Sequence, residues 1–199
     1  MLFNGFKAVL AAVASVGVLV ACSAEAPPEF NSTDITGADY ARGFELTDHN
    51  GEVRTLEDFE GQVVTVFFGF TQCPDICPST MLMMSDVMER LGEDADDVQV
   101  LFITVDPERD TQALLADYVP VFDERFLGLR GDEEQTQEVA DEFRIFYSKS
   151  GDTNGMNYTV DHSTGTYVFD REGRIRLYVR HTENPENVAK DLALLLAED

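Results

Sequence analysis

Three cysteines in 199 residues are too few for a disulfide scaffold, so any fold must rest on an apolar core. Basic residues are also scarce. Fourteen stand against 38 acidic ones, a net charge of −24, and such a surface repels phosphate backbones, which excludes a nucleic-acid binder. Internal repeats and low-complexity segments are absent. The one long apolar stretch, Ala8 to Ala21, is short of the roughly 20 residues that span a bilayer. What remains is 44% hydrophobic, enough for one globular domain with little room for a second.

The apolar stretch follows a single positive charge, Lys7, and has the length of a signal-peptide core. It ends Leu19-Val20-Ala21-Cys22, which resembles a bacterial lipobox. That resemblance makes residues 1–21 a lipoprotein signal peptide and Cys22 a lipidated first residue. The alternative is an uncleaved anchor reaching back to Leu2. Both place the rest of the chain outside the cytoplasm, tethered to a membrane; the lipid version puts it on the periplasmic face of a bacterial membrane. Residues 23–40 are small, polar and proline-bearing, so 22–40 is expected to be a lipidated N-terminus and flexible linker.

From Phe44 the pattern alternates between strand and helix signals. FELTD and EVRTL flank His49-Asn50-Gly51, a hairpin signal. VVTVFFGF (63–70) and VQVLFITVD (98–106) are apolar, β-branched runs typical of strands buried on both faces. A helix is expected from Pro78 to Gly92, others over 111–122 and 132–144, and a short strand at FLGLR. TYVFD and RIRLYVR make a closing hairpin, and Asn184-Pro185 opens a last helix. The order implies an α/β domain over 41–199, a mixed sheet flanked by helices with an N-terminal hairpin: a thioredoxin-like outline.

Cys73 and Cys77 fall where the first buried strand gives way to a helix, the end at which sites in open α/β sheets collect. Four residues of helix rise about 6 Å, close enough for a disulfide with modest adjustment, and both sulfurs can share one face. A helix N-terminus favours thiolate, the species needed for disulfide exchange and for binding a soft metal such as Cu(I). A structural disulfide or two inert thiols remain the bland reading. His162 lies in YTVDHSTGTYVFD, just before the closing hairpin, in a loop that borders the cysteine helix of a thioredoxin-like sheet. Thioredoxins carry a cis-proline there; no proline occurs between Pro120 and Pro185. Two sulfurs and one imidazole make a three-coordinate soft site, with room for a further ligand in the Cu(II) state.

Together Cys73-Pro74-Asp75-Ile76-Cys77-Pro78, Val105-Asp106-Pro107-Glu108-Arg109-Asp110-Thr111 and Asp161-His162-Ser163 resemble the Sco/SenC family, membrane-tethered copper proteins that assist cytochrome c oxidase assembly. The likeness covers roughly residues 40–195. It implies that Cys73, Cys77 and His162 bind one copper ion per chain, as Cu(I), Cu(II) or both. The implied acceptor is the copper-A domain of oxidase subunit II; no upstream donor is implied.

Two mechanisms compete. In one, the chain is a metallochaperone passing copper by ligand exchange. In the other it is a thiol-disulfide oxidoreductase that reduces the acceptor's cysteines, Cys73 attacking and Cys77 resolving. A peroxidase of the same outline lacks a convincing peroxide-orienting arginine. Among secondary candidates, Asp106 is expected to orient His162 or to form an Asp-Pro turn, and Asp110 and Thr111 to start the next helix. Met81, Met84 and Met88 share a helix face and are expected in the core; His49 and His181 are expected at the surface.

Overall fold

A computed structural model describes residues 29–152 and 155–198. The apolar runs become the centre of an eight-stranded sheet. Val63–Gly69 (β4), with every residue buried, pairs parallel with Val98–Thr104 (β5), which pairs parallel with Leu127–Arg130 (β6). Thr166–Phe169 (β9) runs antiparallel on the other side of β4 and forms the expected hairpin with Ile175–Val179 (β10). The N-terminal hairpin, Glu45–Asp48 (β2) and Val53–Thr55 (β3), extends the opposite edge beyond β6. Gly51 closes its turn at φ 93°, and the buried Asp48 carboxylate accepts the Asn50 and Glu52 amides at 2.8 and 3.0 Å.

Four α-helices among the described residues complete the mixed α/β, thioredoxin-like architecture: Ile76–Leu91 (α1), Gln112–Tyr118 (α2), Glu133–Glu142 (α3) and Pro185–Leu196 (α4). α1 and α4 pack on each other. α1 begins two residues before the expected Pro78. A proline at its third position is tolerated because first-turn amides have no intrahelical acceptor. Asn184 caps α4 by accepting the Glu186 amide at 2.8 Å, as its sequence suggests. Asp132 and Gln135 close a reciprocal capping box on α3.

Two features carry little sequence signal. The described part of the expected linker, residues 29–40, is docked: Thr33–Asp34 (β1) pairs with β10. The buried Asp191 carboxylate of α4 accepts the Asn31 and Ser32 amides, each at 2.8 Å. Between α3 and β9, Tyr147–Gly151 (β7) and Tyr158–His162 (β8) form a separate two-stranded ladder. The expected signal peptide and lipidated Cys22 lie outside the described residues. No helix among the described residues is long and apolar enough to cross a membrane.

Candidate metal centre

The sheet register brings three loops to one place. β4 and β5 end side by side at Gly69 and Thr104, and the Val105 amide donates to the Gly69 carbonyl at 2.9 Å. β9 runs the other way and starts at Thr166 opposite Phe67, so its preceding loop returns to the same end of the sheet. Residues 70–75, 105–111 and 162–165 therefore meet where β4 stops.

Cys73 sits in the turn before α1, its amide bonded to the Phe70 carbonyl at 3.2 Å, and Cys77 is the second residue of the helix. The pair thus straddles the helix start instead of sharing one helix face. Cys73 is half-buried and Cys77 fully buried; both are free thiols. The Cys77 amide points at Cys73 Sγ, 3.5 Å away. His162, the last residue of β8, brings Nε2 to 3.6 Å from Cys77 Sγ. One donor atom from each of Cys73, Cys77 and His162 lies within 4.8 Å of the other two, close enough to surround a single ion, and no other such cluster occurs among the described residues.

Protonation follows from the partners. His162 Nδ1 is 2.8 Å from the Ser163 carbonyl, which can only accept, so Nδ1 carries the proton and Nε2 offers its lone pair toward the sulfurs. Burial holds the His162 pKa below 6.5, against the opposing pull of that carbonyl and of Asp161. Aromatic walls supply the burial: the imidazole packs edge-on against Phe70 at 5.8 Å and Phe67 at 6.5 Å. The expected effect of the helix dipole on Cys77 is overridden. Burial pushes its thiol well above the ordinary value, despite the opposing hydrogen bond from the Phe70 backbone. Free of metal, Cys77 is a neutral thiol at pH 7.

Asp106 makes no hydrogen bond to His162, whose Nδ1 is held by the Ser163 carbonyl. Asp106 is buried, taking the Tyr158 hydroxyl at 2.7 Å and a charge-assisted bond from Arg109 Nε. Thr111 caps α2 as expected, accepting the Leu114 amide at 3.2 Å. Asp110 instead reaches back to the cysteine loop. It accepts the Thr71 amide at 3.0 Å and the Thr71 and Thr104 hydroxyls at 2.6 Å each. Met81, Met84 and Met88 are core residues. His181 is exposed, but His49 is half-buried, with Nδ1 accepting the Gly128 amide at 3.0 Å. A requirement missed in the sequence is Gly69, where a Cβ would stand 2.8 Å from both Cys77 Sγ and Phe102. The FxGF pattern beside the cysteines was its only signal.

A dithiol and an imidazole gathered at the carboxyl end of a central strand define a thioredoxin-like protein equipped for soft-metal chemistry. Residues 32–197 match the SCO1/SenC family, and the chain belongs to it. It is 41% identical over 139 residues to an SCO2-like protein of Rickettsia felis, covering 69% of this chain and 66% of that relative, just under two thirds of its length. Among solved structures, ScoI of Bradyrhizobium japonicum with copper bound is 39% identical with a TM-score of 0.71, covering 77% of this chain and 98% of that one. Apo Sco1 from Thermus thermophilus is 36% identical with a TM-score of 0.77, covering 86% and 100%.

Proposed function

We propose that the chain is a copper chaperone of cytochrome c oxidase assembly. In this reading Cys73, Cys77 and His162 hold one copper ion and pass it to the copper-A site of oxidase subunit II. Cys22 would carry the lipid that tethers the domain to the periplasmic face of the membrane. The observation that carries the reading is the convergence of two sulfurs with an imidazole nitrogen whose tautomer is already set for coordination. Thiolate and imidazole donors suit copper, and relatives with this fold hold it.

The asymmetry of the site supports transfer. Cys73 is the reachable sulfur, whereas Cys77 is fully buried. An acceptor thiolate or imidazole can approach beside Cys73, form its bond to copper, and displace Cys73 first. Loading requires Cys77 to lose its proton, so uptake releases acid and weakens as pH falls. The test is transfer from the copper-loaded protein to a copper-free subunit II copper-A domain. Metal analysis after separation should find copper on the copper-A domain with the wild type; none transferred at full loading would refute the delivery role.

A second reading has its own observation. An accessible Cys73 backed by a buried Cys77 is the arrangement of an attacking and a resolving thiol. Cys73 thiolate would attack an acceptor disulfide, expelling one acceptor thiolate. Cys77 would then displace the second, leaving a Cys73–Cys77 disulfide and a reduced acceptor; two electrons and two protons pass. One dithiol can serve both roles in succession.

A further inference from the structure

Arg109 lies in the loop between β5 and α2 and is only 5% exposed. A guanidinium so buried is costly unless its bonds are specific. Those bonds run in three directions. Nε donates to the Asp106 carboxylate of its own loop. Nη1 donates at 3.3 Å to the side-chain oxygen of Gln72, the neighbour of Cys73. The same nitrogen donates to two carbonyls of the histidine-bearing hairpin, Tyr158 at 2.7 Å and Met156 at 3.3 Å. The guanidinium also lies over the Tyr158 ring at 3.7 Å and 5.7 Å from the Phe70 ring, the ring that packs against His162.

This bridge matters because of where the hairpin belongs. β7 and β8 pair only with each other, so the ladder of the main sheet does not set their position. Strand geometry puts Tyr158 and His162 on one face of β8, four residues apart. A shift of Tyr158 is therefore carried along a single strand to His162. Asp106 strengthens the same joint by accepting the Tyr158 hydroxyl.

We propose that Arg109 is a positioning residue that locks the His162 hairpin against the cysteine loop and so sets the sulfur-to-nitrogen distance of the site. The consequence for copper rests on the function proposed above, but the joint itself exists in the metal-free chain, and the test reads both.

The first readout is amide hydrogen exchange of the metal-free protein. In Arg109→Gln the amides of β8 should exchange about tenfold faster, while β4 and β5 keep wild-type rates. The second is Cu(I) competition against a chromophoric chelator, with the nitrogen hyperfine pattern of the Cu(II) form. Affinity should fall about tenfold and the His162 nitrogen coupling should weaken. Arg109→Lys keeps the charge but cannot bridge both loops, so it should fall between; it carries the same readouts if Arg109→Gln does not fold. Wild-type exchange rates in β8 would overturn the proposal, whatever happens to copper. Faster β8 exchange in a protein whose wild type binds no copper tightly would support the joint and overturn the copper function instead.

Discussion

Cys77 Sγ and His162 Nε2 stand 3.6 Å apart across 85 residues of sequence. Each is placed by a different sheet, Cys77 beyond β4 of the main sheet and His162 by β8 of the two-stranded ladder. Cys77 follows β4 by a short turn and is pressed against Gly69. His162 ends a hairpin whose exit leads into β9, the antiparallel neighbour of β4. The contact therefore depends on how the hairpin docks against the end of the main sheet, and it brings a neutral imidazole to a neutral buried thiol. Both groups are uncharged in the metal-free chain, and under the proposed function a soft cation would replace the thiol proton.

Gly69→Ala tests the seat of that sulfur. A methyl group there meets Cys77 Sγ and Phe102 at 2.8 Å, both held within the core. Overpacking of this kind costs about 1–3 kcal/mol. Urea unfolding should show a loss in that range, and Cu(I) competition should show weaker binding as Cys77 is displaced. Unchanged values for both would mean that the sulfur has room to move.

Asp110 supports the cysteine loop from behind. Asp110→Ala leaves the Thr71 amide and two hydroxyls without their acceptor, a loss of about 3 kcal/mol in urea unfolding. Burial raises the Asp110 pKa above its ordinary 3.8, so the folded state binds a proton that the unfolded chain has already released. Its contribution to stability therefore grows as pH falls through the folded pKa toward 3.8. Asp110→Asn should remove that component, so the wild type should gain on this variant as pH falls toward 3.8.

His162 should titrate with a midpoint below 6.5, read from its ring proton shifts by NMR on the metal-free protein. The sign for stability follows. Below pH 6.5 the unfolded chain takes up a proton that folded His162 refuses, so the fold loses this share of its stability as pH drops toward the folded midpoint. A midpoint above 6.5 would mean that burial does not outweigh the pull of the Ser163 carbonyl and Asp161.

Cys22→Ala should abolish lipidation and release the protein from the membrane fraction without changing copper binding by the domain. A variant still processed and membrane-bound would contradict the lipid tether.

The central strands and the convergence of Cys73, Cys77 and His162 were legible because burial and chemistry leave marks in sequence. β4 is an unbroken apolar run, and the three residues stand in short motifs beside strand ends. Strands without a buried side chain leave no such mark. β1 is two exposed residues, and β7 reads Tyr-Ser-Lys-Ser-Gly with no buried side chain, so neither shows an apolar period. Asp106 and Asp110 were visible as a motif, but spacing could not show which carboxylate faces which loop; Asp110 turned back to Thr71 and Asp106 to Tyr158. The ionisation of Cys77 went the other way for a related reason. Its place at a helix start can be read from sequence, whereas its complete burial depends on how closely the helix start approaches Gly69 of β4.

The most direct test of the account is anaerobic Cu(I) titration of the fully reduced protein, wild type beside His162→Ala. One equivalent bound tightly by the wild type, with tight binding lost in the variant while Cys73 and Cys77 still oxidise to a disulfide, is the predicted result. Equal binding by both proteins would contradict it, leaving copper as an incidental thiol ligand and the dithiol exchange as the function of the site.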